Sequence, residues 1–210
     1  MQESPYEFDG DDTASLLAKK PIILEKKIIP SEQYDSFFYA EIDSDGYDGF
    51  DEIYNKISKE IGICMVIFSE LEVAVEHSLH ELLSDRSHQF GRTITKEMSY
   101  IQKVILYIDL LRGCFLEEDV NKELYMADVA SIKKHLYRAG EIRNVIAHAK
   151  WPSFTKDGYV FSSVENIVNN QNGPGYMYYQ LDKLELNKCR AYISAVSSFP
   201  YHIEETYIQR

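Results

Sequence analysis

One apolar stripe in the first half of the chain constrains the fold more than any other feature of the sequence. Its members recur at steps of three or four residues: Phe50, Ile53, Ile57, Ile61, Cys64, Phe68, Leu71, Val75, Leu79 and Leu82. Such spacing places apolar side chains on one face of an α-helix and polar ones on the other. The stripe predicts a helix from about Asp48 to Leu83 that must bury this face against other elements.

Two later segments carry the same helical spacing. The first begins near Thr95, and the second begins between Glu118 and Met126. The inward positions of the first are Met98, Ile101, Ile105, Ile108, Leu111 and Phe115. Those of the second are Val129, Ile132, Leu136, Ala139, Ile142 and Ile146. The second helix is expected to end at Trp151-Pro152, because proline disfavours helix in the residue before it.

The pattern then changes to that of β-strands. Residues 159–161 and 176–181 are rich in aromatic and β-branched side chains, and a loop rich in Asn and Gly separates them. Such a pair of segments is typical of a hairpin. The sequence therefore predicts a small β-hairpin insertion at about 152–181.

Residues 1–47 predict an N-terminal arm. Prolines bound two short apolar segments, 21–24 and 27–30, and each could form a strand. Ser31 could begin a short helix. The loop 43–49, rich in Asp and Gly, is expected to separate the arm from the long helix.

Together these segments predict a mainly α fold, an antiparallel helical bundle with a small β-hairpin insertion before the last helix. The last helix is expected to run from near Asp182 or Asn187 to about Ser198. The bundle would occupy residues 48–200, and residues 201–210 would form a C-terminal tail.

The charge of the chain limits the partners that it can bind. The net charge is −12 and the isoelectric point is about 4.9. Broad electrostatic binding to nucleic acid needs clustered Lys and Arg, so a general nucleic-acid-binding protein is disfavoured. A small basic cleft is still compatible with this composition. A basic protein partner, such as an antitoxin, would complement the acidic surface.

The cysteines and the N-terminus indicate the compartment. Cys64, Cys114 and Cys189 are odd in number and far apart, and the first two lie in apolar helical patterns. Buried free thiols in a reducing compartment are expected. Neither a signal peptide nor an apolar run long enough to span a bilayer is evident. A soluble, cytoplasmic protein without membrane partners is therefore predicted.

The segment that carries chemistry lies at the end of the third predicted helix. It places a guanidinium at Arg143, a carboxamide at Asn144 and an imidazole at His148. These groups can bind and cleave a phosphodiester without a metal. Arg143 and His148 are five residues apart, which corresponds to about 140° of rotation on an ideal helix. They can converge if His148 lies in a fraying last turn or if two copies of the chain meet there.

Arg143-Asn144-x-x-x-His148 resembles the R-polar-x3-H motif of the HEPN superfamily, where the motif also lies near the end of a late bundle helix. The bundle pattern from about residue 48 to 198 is similar, so the resemblance covers most of the chain. Many HEPN proteins are metal-independent endoribonucleases of toxin–antitoxin and phage-defence systems. The resemblance implies a homodimer whose two motifs face each other across one cleft.

The resemblance also implies roles for the motif residues. Arg143 would hold the scissile phosphate and stabilise its developing charge. His148 would exchange protons with the 2′-hydroxyl or the leaving 5′-oxygen, and Asn144 would orient these groups. The products would carry a 2′,3′-cyclic phosphate. Lys150 and Trp151 follow the motif directly and would help to bind the RNA, Trp151 by stacking on a base.

A purely structural interpretation of the same residues exists. Arg143 could pair with Glu141 or another carboxylate and stabilise the bundle. His148 could lie at the helix C-terminus, where a cation is favoured, and Asn144 could be an ordinary polar surface residue. Catalytically inactive HEPN domains also exist, so a silent module that binds a nucleotide or a protein is the alternative function.

Metal binding is not expected. Residues 41–52 nearly fit a calcium loop, but Glu41 replaces the usual first Asp and Asp48 occupies the usual apolar position. An acidic turn before a helix is the preferred interpretation. His77 and His80 lie three residues apart without an evident third ligand, and solvated surface positions are preferred for them. No cofactor is predicted.

The tyrosine-rich segment 176–179 has two interpretations. Its rings could stack on bases, but alternate residues of a half-buried strand more commonly pack on a core. Core packing is preferred for this segment, and Trp151 is the better candidate for stacking.

Overall fold

A computed structural model of the chain describes residues 13–30, 34–83, 88–114, 122–151, 158–162, 168–170, 173–203 and 206. Within these residues the fold is mainly helical with a small antiparallel sheet, as predicted. The helices are α1 (Thr13–Ala18), α2 (Tyr34–Leu83), α3 (His88–Thr95), α4 (Tyr100–Cys114), α5 (Lys122–His148), α6 (Lys183–Val196) and α7 (Phe199–Ile203). The strands are β1 (Lys26–Pro30), β2 (Ala149–Lys150), β3 (Tyr159–Ser162), β4 (Val168–Asn170) and β5 (Gly173–Gln180).

The long helix is longer than its apolar stripe predicts. α2 begins at Tyr34 and continues through residues 43–49, so the predicted loop and the separate short helix after Ser31 are wrong. Each glycine inside a helix costs about 1 kcal/mol relative to alanine. Because every added residue also brings one backbone hydrogen bond, a helix of this length can absorb Gly46 and Gly49.

The other helices agree with their predicted centres more closely than with their ends. The helix expected to begin near Thr95 begins at Tyr100, and Thr95 instead ends the separate helix α3. α5 begins within the predicted window and ends at His148, three residues before Trp151. α6 occupies the region of the last predicted helix, whereas the short α7 begins after Ser198 and extends into the predicted C-terminal tail.

The sheet is built around β5. β1 pairs with one edge of β5, and β3 and β4 pair with its other edge. β2 adds to the far side of β3. The predicted strands at 27–30, 159–161 and 176–181 are therefore confirmed as β1, β3 and β5. The predicted strand at 21–24 is not formed.

The chain divides into two compact units. One unit comprises residues 1–22, 66–140 and 191–210. The other comprises residues 23–65 and 141–190, and it contains the sheet together with the end of α5. No helix in the described part of the chain is both long and apolar enough to cross a bilayer.

In the first unit, α4 and α5 pack in opposite directions. Tyr100, at the start of α4, donates to the carbonyl of Leu136, at the middle of α5, at 3.0 Å. Tyr125, at the start of α5, donates to the carbonyl of Leu111, late in α4, at 2.6 Å. The four groups are buried or partly buried. These hydrogen bonds therefore avoid the free-energy cost of burying polar atoms without a partner.

The same unit holds its N-terminal segment on one face of α5. Three side chains spaced at i, i+4 and i+7 along that helix donate to backbone carbonyls of the segment. The pairs are Ser131 Oγ with Leu17 O at 2.5 Å, His135 Nε2 with Lys19 O at 3.2 Å and Arg138 Nε with Ile22 O at 2.7 Å.

His135 is the titratable member of this set, and it is fully buried. A carbonyl only accepts hydrogen bonds, so Nε2 carries the proton and Nδ1 accepts from the Tyr192 hydroxyl at 2.8 Å. Protonation of Nδ1 would remove this acceptor. Burial lowers the pKa of His135 below its usual value of 6.5, and the hydrogen bond to Lys19 only partly offsets that effect.

We expect the neutral His135 to make stability depend on pH. Because its pKa is lowered in the folded state, its contribution is present above about pH 6.5 and is lost as the pH falls. The urea midpoint should therefore fall between about pH 7.5 and pH 5.5. His135→Gln, which keeps a donor for Lys19 and does not titrate, should flatten this dependence. His77→Gln, at an exposed position, should leave it unchanged. Equal slopes in wild type and His135→Gln would contradict the assignment.

Candidate functional site

The motif residues occupy the last two turns of α5. Ile142, Val145 and Ile146 are buried there, with exposed fractions of 0 %, 5 % and 1 %. Since apolar side chains at this spacing fix one face of the helix to the core, Asn144 and His148 are turned outward, and both are exposed. The apolar periodicity that predicts the helix therefore also places Asn144 and His148 on its exposed side.

Arg143 is held by its neighbour in the sequence. Its Nη1 donates to Oδ1 of Asn144 at 3.0 Å. The side chain of Arg143 is half-buried and its Nε is inaccessible to solvent. A guanidinium fixed in this way loses little conformational freedom when it binds an anion. Asn144 is therefore placed to orient Arg143.

His148 is the last residue of α5, and the chain enters β2 at the next residue. The helix is regular up to this point, so Arg143 and His148 leave it about 140° apart on an ideal helix. The imidazole is exposed and can exchange protons with a ligand. One chain thus presents an oriented cation and an accessible imidazole at one helix end, on faces that lie about 140° apart, and a regular helix does not bring the two groups together.

Trp151 and Lys150 have defined positions beside the motif. The indole Nε1 of Trp151 donates to the carbonyl of Ile146 at 3.3 Å, which satisfies one of the last carbonyls of α5. The ring is half-buried. Lys150 is exposed, and its Nζ lies 5.0 Å from the centre of the Phe161 ring. Trp151 therefore has a structural role whether or not it also contacts a ligand.

Sequence reasoning did not align Lys27 with Lys150, which follows the motif in the chain, although the register of the sheet does. Lys27 pairs with Tyr178, Tyr178 pairs with Phe161, and Phe161 pairs with Lys150. These four residues form one row across four strands. The alternation of side chains in each strand could be read from the sequence, but the register that aligns them could not.

The alternative candidates do not assemble a site. His80 is buried and its Nε2 lies 3.1 Å from Oγ1 of Thr95, whereas His77 is exposed. The expectation that both histidines are surface positions is thus wrong for His80. Among the described residues, no group of three or more His, Cys, Asp or Glu side chains could hold a metal ion. Residues 41–52 lie within the helix α2, so the acidic turn expected there is not formed.

The described thiols are not arranged as nucleophiles. Cys64 and Cys189 are buried thiols that form no disulfide. Burial raises the pKa of Cys64 to about 11, an effect that Arg190 opposes and Glu60 reinforces, and its Sγ donates to the carbonyl of Leu186. Because the thiolate is the reactive form, Cys64 is chemically inert at neutral pH. The side chain of Cys114 lies outside the described part of the chain.

No protein-family model, curated protein or solved structure matches this chain. The resemblance to HEPN proteins stays a prediction, based on the motif Arg143-Asn144-x-x-x-His148 and on its position at the end of a long helix.

Proposed function

We propose that the chain is a metal-independent endoribonuclease of HEPN type that acts as a homodimeric toxin or phage-defence effector. The observation that carries the proposal is the helix end itself, where Asn144 holds the guanidinium of Arg143 and His148 is exposed. The mainly helical fold around this motif is consistent with the same family.

The chemistry follows from these groups. The 2′-oxygen of a ribose attacks the adjacent phosphorus, and the bond from phosphorus to the 5′-oxygen breaks. Arg143 binds the phosphate oxygens through its planar, permanently charged fork. An imidazole accepts the proton of the 2′-hydroxyl, and a proton is delivered to the leaving 5′-oxygen. The products are a 2′,3′-cyclic phosphate and a free 5′-hydroxyl.

A dimer supplies what one chain lacks. Each chain contributes one His148, whereas the reaction needs both a base and an acid. Two copies that meet at their α5 ends would place two imidazoles and two guanidinium groups in one cleft. Lys150 and Trp151, which follow the motif, would contact the RNA on either side of the scissile bond.

The acidic surface favours a second partner and a second candidate function. With a net charge of −12, the chain would attract a basic regulatory protein such as an antitoxin. The same charge favours the alternative of a catalytically inactive HEPN-like module that binds a nucleotide or a protein. The two functions differ in whether RNA is cut.

Purified protein should therefore cleave single-stranded RNA in the presence of EDTA. Mass spectrometry of the fragments should show 2′,3′-cyclic phosphate ends, and added Mg²⁺ should not be required. Intact RNA after incubation, with the protein folded by circular dichroism, would favour the inactive module. Cleavage that appears only with a divalent cation would contradict the proposed chemistry.

A further inference from the structure

The small sheet carries an aromatic face beside the motif. In an antiparallel sheet, side chains that are directly opposite or two residues apart along a strand project from the same face. The register therefore places four rings on one face, which we term the aromatic face: Tyr159, Phe161, Tyr176 and Tyr178. All four belong to the same compact unit as Arg143 and His148.

The rings of the aromatic face form a connected cluster. The centre of the Phe161 ring lies 5.8 Å from that of Tyr176 and 5.6 Å from that of Tyr178. Phe161 and Tyr178 are buried, whereas Tyr159 and Tyr176 pack against them and are partly exposed. The buried pair thus supports two rings that can still contact a ligand.

Lysines flank the aromatic face at both edges of the sheet. Lys27 of β1 lies 5.5 Å from the centre of the Tyr159 ring, and Lys150 of β2 lies 5.0 Å from that of Phe161. Both lysines are exposed. In a chain with a net charge of −12, two cations thus flank these rings, while one carboxylate, that of Glu25, accepts a hydrogen bond from the Tyr159 hydroxyl at 3.1 Å. An unpaired base can stack on such a ring while the phosphates on either side of that base contact the two lysines.

We propose that the aromatic face is a binding platform for single-stranded RNA that extends from the cleavage site. Bases stack on Tyr159 and Tyr176, and the phosphates contact Lys27 and Lys150. Lys150 is only two residues from His148, so the platform is continuous with the motif along the chain. The occupant is single-stranded because a ring can stack only on the open face of an unpaired base. This inference rests on the proposed function, whose substrate it specifies.

The test measures binding separately from cleavage. In a His148→Ala background, the fluorescence anisotropy of a labelled uridine oligonucleotide of about twelve residues, in EDTA, gives the dissociation constant. Tyr176→Leu keeps an apolar side chain and removes the ring, so affinity should fall about tenfold. Tyr176→Phe keeps the ring and should bind within about twofold of the background protein.

The chain offers a matched control. Tyr137 of α5 is also half-buried, and Lys133 lies 5.4 Å from its ring centre. Tyr137→Leu should leave affinity unchanged, because neither Tyr137 nor Lys133 belongs to the aromatic face. Lys27→Gln, at an exposed position, should reduce the slope of log affinity against log salt by about 0.7. Lys133→Gln should not change the slope.

The outcomes separate this inference from the proposed function. Loss of affinity in Tyr176→Leu but not in Tyr176→Phe or Tyr137→Leu supports the platform, even if the wild type cuts no RNA. Equal affinity in all variants overturns the platform, while cleavage that depends on Arg143 would leave the proposed function standing. If Tyr176→Leu does not fold, the salt slope of Lys27→Gln decides, and an unchanged slope overturns the platform. A duplex that competes as well as the single strand would also overturn it.

Discussion

Arg143→Ala is expected to lower the rate of RNA cleavage about 10²- to 10³-fold, which is the usual cost of removing one group that stabilises developing negative charge. The guanidinium is held by Asn144 before any ligand arrives, so its charge is available without reorganisation. Affinity for uncleaved RNA should change less than the rate, because the charge on the phosphate oxygens grows in the transition state. Single-turnover kinetics with an excess of protein would separate the two effects.

His148→Ala should lower the cleavage rate by about 10²- to 10⁴-fold, the range for loss of a positioned general acid or base. Asn144→Ala should have a smaller effect, because Asn144 acts by orienting Arg143.

Matched controls distinguish the site from general effects of mutation. His77→Ala and Arg112→Ala replace exposed residues on α2 and α4. Both should cleave RNA at the wild-type rate. If Arg143→Ala and His148→Ala also cut as well as the wild type, these residues are not the site and any activity resides elsewhere.

The position of the motif could be predicted from the sequence, because the apolar periodicity of α5 determines which of its side chains face outward. Ile142 and Ile146 continue the apolar stripe of α5, and this stripe alone orients the polar residues between them. The side-chain bond from Arg143 to Asn144 could not be read, because neighbouring residues on a helix do not usually face each other. It forms here through the length of the arginine side chain.

The parts of the fold that the sequence did not predict depend on contacts between distant segments. The two-residue strand β2 exists only because β3 lies beside it, and no local pattern marks so short an element. The alignment of Lys27 with Lys150 depends on three strand pairings and on their registers. The helix through residues 43–49 is a different case, since local turn signals there are overruled by the continuity of α2.

Disrupting a charged network in the first unit is expected to cause a large loss of stability. Lys103 of α4 is buried, and its Nζ lies 3.1 Å from Glu72 Oε1 and 2.9 Å from Glu76 Oε2 of α2. Thr95, at the end of α3, donates to Glu76 and lies 3.1 Å from Nε2 of His80. Three helices therefore meet at Glu76. Burial acts against the charge of Lys103, but the hydrogen bonds that Lys103 donates to Glu76 and Glu72, together with the charges of these carboxylates, outweigh it and raise the pKa of Lys103.

Lys103→Met should destabilise the fold by about 2 kcal/mol, because two carboxylates would lose the cation between them. This value lies below the range for fully buried pairs, since the side chains of Glu72 and Glu76 are 33 % and 29 % exposed and water screens them in part. Urea denaturation at neutral pH measures the effect. Lys133→Met, on α5, should change stability by less than about 0.5 kcal/mol.

The dependence on pH tests the cause of this loss. The hydrogen bond from Lys103 lowers the pKa of Glu76 below its usual value of 4.5. The stability that this pairing contributes is therefore present above about pH 4.5 and is lost as the pH falls through the lowered pKa. The difference in stability between wild type and Lys103→Met should narrow at acidic pH. At neutral pH, adding Glu76→Gln to Lys103→Met should restore part of the lost stability, because it removes one of the two unpaired carboxylates. A difference that stays constant with pH would instead indicate that Lys103 acts through the packing of its alkyl chain, and not through its charge.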